Sequence, residues 1–170
     1  MDVLVEDMML QADRLFDAGE YAEGRQVLEE ILEMEPDYGR AHNHIGWLHY
    51  YKLDNFDKAE YHYKLAIKFS PKYPATWVNY GYFLNYMGRF ADMKVHAEKA
   101  MKVQGVNKSI VYNQLGNAYE MNAFYKEALD YYSQANLKAL NKNDFEAAQE
   151  NIRRVKSKTS FFSKLKLLFI

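Results

Sequence analysis

The chain has 170 residues, 49% hydrophobic and 26% charged, enough for one folded domain with a core of its own. Its 22 basic and 23 acidic side chains leave a net charge of -1, so there is no overall positive field to gather DNA or RNA, and no nucleic-acid role is expected. Cysteine is absent, which removes disulfides, thiolate metal sites and cysteine nucleophiles together; a cytoplasmic location is expected.

At the N-terminus Asp2, Glu6 and Asp7 stand where a secretory signal would carry basic residues and an unbroken apolar run. Charge is uneven along the chain. Residues 1–38 hold twelve acids against Arg14 and Arg25, whereas residues 152–170 hold six bases and no acid. Aromatic residues make up 16% of the chain while Gly (8) and Pro (3) are scarce, the balance expected of long helices joined by tight turns.

A helical pattern starts near residue 5 and carries Gln11, Ala12, Asp13, Arg14 and Leu15. It breaks at Gly19, resumes at Tyr21, places small Gly24 at a helix crossing and closes at Pro36. The same sequence of features returns at Ile45, Gly46 and Trp47, then Asn55, Phe56, Ala59, Ala66 and Pro71. It returns again at Tyr80, Gly81 and Tyr82, then Gly88, Phe90, Met93 and Ala100, and once more at Leu115, Gly116 and Asn117, then Asn122, Ala123, Tyr125, Ala128 and Ala135. The steps are 34, 35 and 35 residues, a period that defines repeats at about 5–38, 39–73, 74–108 and 109–142. The second copy has one residue more than the others between Gly46 and Ala59, so its first helix or turn is expected to be longer.

Two antiparallel helices cannot bury both apolar faces alone, so each repeat needs a neighbour, and Gly46, Gly81 and Gly116 read as packing residues that let backbones approach. After the last repeat, Asn143 and Asp144 offer a helix cap, and Phe145, Ala148, Ile152 and Val155 form an apolar stripe with Gln149, Glu150, Arg153 and Arg154 turned outward. Residues 143–156 are therefore predicted as a capping helix that completes a domain at 1–156, with 157–170 as a basic tail.

This pattern of a large apolar residue, Leu-Gly, Tyr, Ala, Phe and a closing Pro resembles the tetratricopeptide repeat, most clearly from Val111 to Ala135, and the resemblance covers about residues 5–142. It implies an all-α protein: a right-handed α-solenoid of four tetratricopeptide helix pairs plus a C-terminal capping helix. It also implies an interaction scaffold or adaptor that is not an enzyme, needs no cofactor, and holds a peptide or partner protein in the concave groove lined by the first helix of each pair. Family members that bind peptides through an asparagine ladder look similar at Asn43, Asn79, Asn113 and Asn117.

With the glycines taken as the packed face, the groove should be lined by Asn43, Trp47, Tyr50 and Tyr51; by Val78, Asn79, Tyr82, Asn85 and Tyr86; and by Asn113, Gln114, Asn117 and Glu120, with Met9, Asp13, Phe16 and Asp17 from the first repeat. Asn both donates and accepts, so it can pair with the main chain of an extended peptide, while Trp and Tyr supply flat apolar contact. The aromatics also admit a core reading, most of all Tyr50 and Tyr82. A lysine–arginine clamp for a C-terminal carboxylate is not expected, because only Arg40 is at hand and Asp13 and Asp17 lie close; a ligand carrying Lys or Arg suits this end better.

Among the five histidines, His42 and His44 point to different faces, and no carboxylate pattern completes a metal site. Tyr61, Tyr63 and Phe69, interleaved with the lysines of the second repeat, read as core. The tail places Phe161, Phe162, Leu165, Leu168 and Phe169 on one side with Lys164 and Lys166 on the flanks. It reads three ways: a final cap, a peripheral membrane anchor for an assembly factor, or an insert for a groove. With opposite charges at the two ends, the chain is expected to be a monomer or a weak head-to-tail homo-oligomer.

Overall fold

The computed structural model describes the backbone of residues 3–167 and the side chains of residues 3–159. Among these the structure is helical throughout: α1 (Val3–Ala18), α2 (Tyr21–Met34), α3 (Gly39–Tyr51), α4 (Phe56–Phe69), α5 (Pro74–Tyr86), α6 (Phe90–Ala100), α7 (Lys108–Met121), α8 (Tyr125–Leu137) and α9 (Lys142–Leu167). No described helix is long and apolar enough to cross a membrane. The chain forms two compact units, Met1–Tyr80 and Gly81–Ile170, with the boundary inside α5.

The turns explain the period. One residue between the helices of each pair takes a left-handed conformation: Gly19 (φ 80°), Asp54 (φ 47°), Gly88 (φ 65°) and Ala123 (φ 61°). In three of the four, the next N–H reaches back five residues to close the helix end, from Glu20 to Leu15 O (2.8 Å), Arg89 to Leu84 O (3.0 Å) and Phe124 to Tyr119 O (2.9 Å). In the second repeat Asn55 N reaches back six residues, to His49 O (2.9 Å). The extra residue expected there is thus spent in the turn. Asp54, not Asn55, makes the left-handed bend, while Asn55 caps α4 by accepting from Lys58 N–H (3.2 Å).

In the first unit, α2 buries Gly24, Val27, Leu28 and Ile31, spaced one helical face apart, against Val5, Met9 and Ala12 of α1. Ala41 and Ile45 of α3 complete that core. Gly24 has no room for a side chain, since a Cβ there would stand 2.7 Å from the Phe16 ring. Across the next pair Ala59, Tyr63 and Ala66 of α4 are buried, and the fully buried Tyr63 ring covers Gly46, where a Cβ would come within 3.0–3.2 Å. Tyr61 does not join this core, contrary to expectation: it is 60% exposed, two residues off the buried face, with its ring edge against His62.

The second unit repeats the device. Ala128, Tyr132 and Ala135 are buried on α8, and Tyr132 covers Gly116, where a Cβ would meet the ring at 2.6–3.0 Å. Helix α9 packs on α8 through Ala148, Val155 and the half-buried Ile152. Its start differs in two ways from the sequence pattern. The cap is Asn141, which accepts from Asp144 N–H (2.9 Å), and Phe145 is 46% exposed because the first turn is held by polar contacts, Asp144 accepting from Asn107 (2.8 Å) and Asn141 (3.1 Å). The backbone helix continues past residue 156 to Leu167; the tail side chains Phe161, Phe162, Leu165, Leu168 and Phe169 lie outside the described residues.

Candidate functional site

Three rings gather in the first unit where α1, α2 and α3 come together. Phe16 closes α1, Tyr21 opens α2 and Trp47 stands on α3, and all three centroid separations fall between 5.7 and 5.8 Å, the spacing of attractive aromatic pairs. Phe16 is fixed from behind by its seat over Gly24, and His44 meets it edge-on at 5.4 Å. Tyr51, one turn beyond Trp47, extends the cluster at 5.2 Å from the indole.

One turn before Trp47, Asn43 is 3% exposed, and its Oδ1 accepts from Asn79 Nδ2 at 3.1 Å. Asn43, Trp47 and Asn79 come together with Phe16, Tyr21 and the carboxylates of Asp13 and Asp17 around a cavity of about 520 Å³. That volume lies within the range of small-ligand and side-chain pockets. The amides are partly spent on each other, so what they can offer a ligand is their remaining donor and acceptor sites.

The charges around the cavity are unequal in their freedom. Asp13 is fully engaged, Oδ1 on His44 Nε2 (3.0 Å) and Oδ2 on Arg40 (3.3 Å). The hydrogen bond from His44 above all, with help from Arg40, outweighs burial and holds its carboxyl below the usual range. Arg40 also donates to Glu6 (2.9 Å), which accepts from Tyr38 Oη (2.6 Å); burial first, then Glu6, push that phenol up to about 12. The single candidate for a carboxylate clamp is therefore consumed by internal contacts. Asp17 is exposed and makes no ion pair among the described residues.

The remaining predicted site residues lie in the second unit. Tyr82 and Tyr86 are 41% and 61% exposed, so they stand at the surface, whereas Tyr50 of the first unit is buried. Asn85 is buried and donates from Nδ2 to the Gln114 main-chain carbonyl (2.8 Å). Asn117 is half-buried, and Asn113 accepts through Oδ1 from Asn151 Nδ2 of α9 (2.9 Å).

Glu120, expected in the groove, is instead the buried hub of an ion network. Arg154 grips it with two nitrogens (2.9 and 2.7 Å), Lys158 donates at 2.8 Å and Tyr132 Oη at 2.7 Å. Burial alone would raise its pKa, but these donors, Arg154 foremost, hold the carboxyl down at about 2. Arg154 accordingly turns inward, not outward, because a buried carboxylate on α7 requires a cation from the helix that covers it.

A second cluster joins α3 and α4. His42 and His49 are seven residues apart on α3, hence on one face, and His62 of α4 lies between them with ring centroids at 5.2 and 5.9 Å. His42 Nε2 donates to Pro36 O (2.9 Å), which leaves its Nδ1 to accept from His62 Nδ1 at 3.0 Å. Burial pushes all three below the ordinary histidine value, His62 to about 4. The seven-residue spacing of His42 and His49 is the sequence signal that puts both rings on one face of α3.

Comparison with known proteins agrees with this architecture. Residues 9–74 match the family model for the tetratricopeptide repeat. Anaphase-promoting complex subunit 3 of Schizosaccharomyces pombe is 22% identical over 116 residues, 68% of this chain but 17% of that protein. The chain thus spans about a sixth of the length of that curated relative. Among solved structures, PilW, described as a widely conserved type IV pilus biogenesis factor, superposes with a TM-score of 0.83 at 18% identity, covering 94% of this chain and 72% of PilW. Pseudomonas aeruginosa pilF does so with a TM-score of 0.81 at 16% identity, covering 94% and 70%. The fold and the repeated turn define a helical-repeat protein. More narrowly, residues 9–74 carry the tetratricopeptide pattern, and the described helix pairs with their C-terminal helix have the fold of the all-α solenoids on which the chain superposes.

Proposed function

We propose that this chain is an interaction scaffold that docks a peptide or partner protein on the concave side of its repeats, with the Trp47 cavity of the first unit as the anchoring point. The tetratricopeptide fold is in general a non-catalytic protein-binding framework, and its biology comes from what it holds. The observation that carries the reading here is the meeting of Phe16, Tyr21 and Trp47 with the amides of Asn43 and Asn79 around one cavity of about 520 Å³. Flat rings give contact area at little entropic cost, and polar groups beside them fix orientation, the combination found at binding hot spots.

The test is capture. The full chain and its Trp47→Ala variant are used as bait side by side; the expected result is loss of the captured partner by the variant with helical content unchanged in far-ultraviolet circular dichroism. Undiminished capture by a folded variant would remove the cavity as the anchor.

A further inference from the structure

Resting on that docking reading, we infer that the Trp47 cavity accepts a cationic side chain, an arginine or lysine of an extended partner segment, paired with Asp17. Two independent features converge on this. The first is the aromatic wall: Phe16, Tyr21 and Trp47 come from three different helices, and rings so assembled attract a cation through their faces. The molecule already uses the same wall in this way. Lys52 places its ammonium 4.3 Å from the Tyr21 centroid and 5.7 Å from that of Trp47, while lying outside the residues that line the cavity.

The second feature is the balance of charge. Two carboxylates, Asp13 and Asp17, line the cavity, and of the cations nearby Arg40 is shared between Asp13 and Glu6. Asp13 has both oxygens occupied and acts as a fixed negative wall. Asp17 stands one helical turn further along α1, with Phe16 beside it, and keeps its charge for a visitor. An anionic segment would meet Asp17 unpaired; a neutral one would gain the rings but leave the charge unused.

The test uses small probes so that charge and shape can be separated. The isotope-labelled full chain is titrated with Nα-acetyl-arginine amide and, separately, with Nα-acetyl-citrulline amide, which has nearly the same shape and no charge. Saturable shifts of the Trp47 indole N–H and of the Asn43 and Asn79 carboxamides are expected with the arginine probe and not with citrulline. Asp17→Asn, a change at an exposed position, should weaken the arginine response by roughly twofold to fivefold, the worth of one exposed ion pair, while Asp130→Asn on α8 leaves it unchanged. Equal responses to both probes, or an Asp17→Asn variant that responds as the parent does, would overturn charge recognition and leave the docking reading intact. No response at Trp47 to either probe would overturn the cation site as well, and the capture experiment then decides the docking reading by itself.

Discussion

The left-handed bend at Ala123 is the least comfortable of four equivalent positions. Gly19 and Gly88 adopt positive φ without a side-chain penalty, and Asp54 is of a type that tolerates it, but an alanine Cβ crowds the following carbonyl. Ala123→Gly should therefore stabilise the second unit by about 0.5–1 kcal/mol, the relief of strain exceeding the greater freedom of glycine in the unfolded chain; a rise in the urea midpoint at constant slope would show it. At this scale the sequence revealed where the chain turns but not always by which residue. Gly19 and Gly88 were plain signals, whereas in the second repeat an Asp-Asn pair left two candidates, and only the backbone path assigns the bend to Asp54 and the cap to Asn55.

Helix α9 is held in place by a mixture of forces that its apolar stripe only half announces. Ala148 and Val155 are fully buried, yet the firmest ties are Arg154 and Lys158 on Glu120 and Asn151 on Asn113. Arg154→Met keeps the apolar stem and removes two charge-assisted hydrogen bonds from a buried carboxylate. The second unit should lose about 2 kcal/mol, seen as a lower urea midpoint and as faster amide exchange in α9. The helix itself was legible, since its stripe follows from periodicity alone. Its partners were not: Glu120 falls where groove positions fall by helical spacing, and only the arrival of α9 converts it from a surface acid to a buried one.

For the molecule as a whole, acid should act on the two units in different windows. A histidine in an unfolded chain takes up its proton near 6.5, but His62 resists until about 4, and His42 and His49 shift the same way. Below 6.5 the unfolded chain thus binds more protons than the folded first unit, so the histidine contribution is whole above 6.5 and drains away toward 4. Glu120 runs from 4.5 in the unfolded chain to about 2, so its share of the second unit's stability is intact above 4.5 and lost between 4.5 and 2. Both tryptophans, Trp47 and Trp77, belong to the first unit, so their fluorescence follows that unit. On acidification that signal should change at higher pH than amide exchange in α7 and α8, and His62→Leu should move it to lower pH. The repeat period made the fold readable from end to end. The cavity was readable in part, because Asn43, Trp47 and Asn79 follow from helical phase, while the coupling of Asp13 to Arg40 and His44 depends on side-chain reach that no spacing rule encodes.

The paired asparagines have a bearing on how such a chain could grow. Asn151 meets Asn113 just as Asn79 meets Asn43, so α9 sits beside α7 in the manner of a next repeat's opening helix. A duplicated module spliced in between α8 and α9 would inherit that berth, and it would have to supply both an amide at the Asn151 station and a guanidinium at the Arg154 station, or strand the Glu120 carboxylate in a dry interior. Helix α9 thus sets two chemical requirements, an amide and a guanidinium, for whatever packs against α7 at that place.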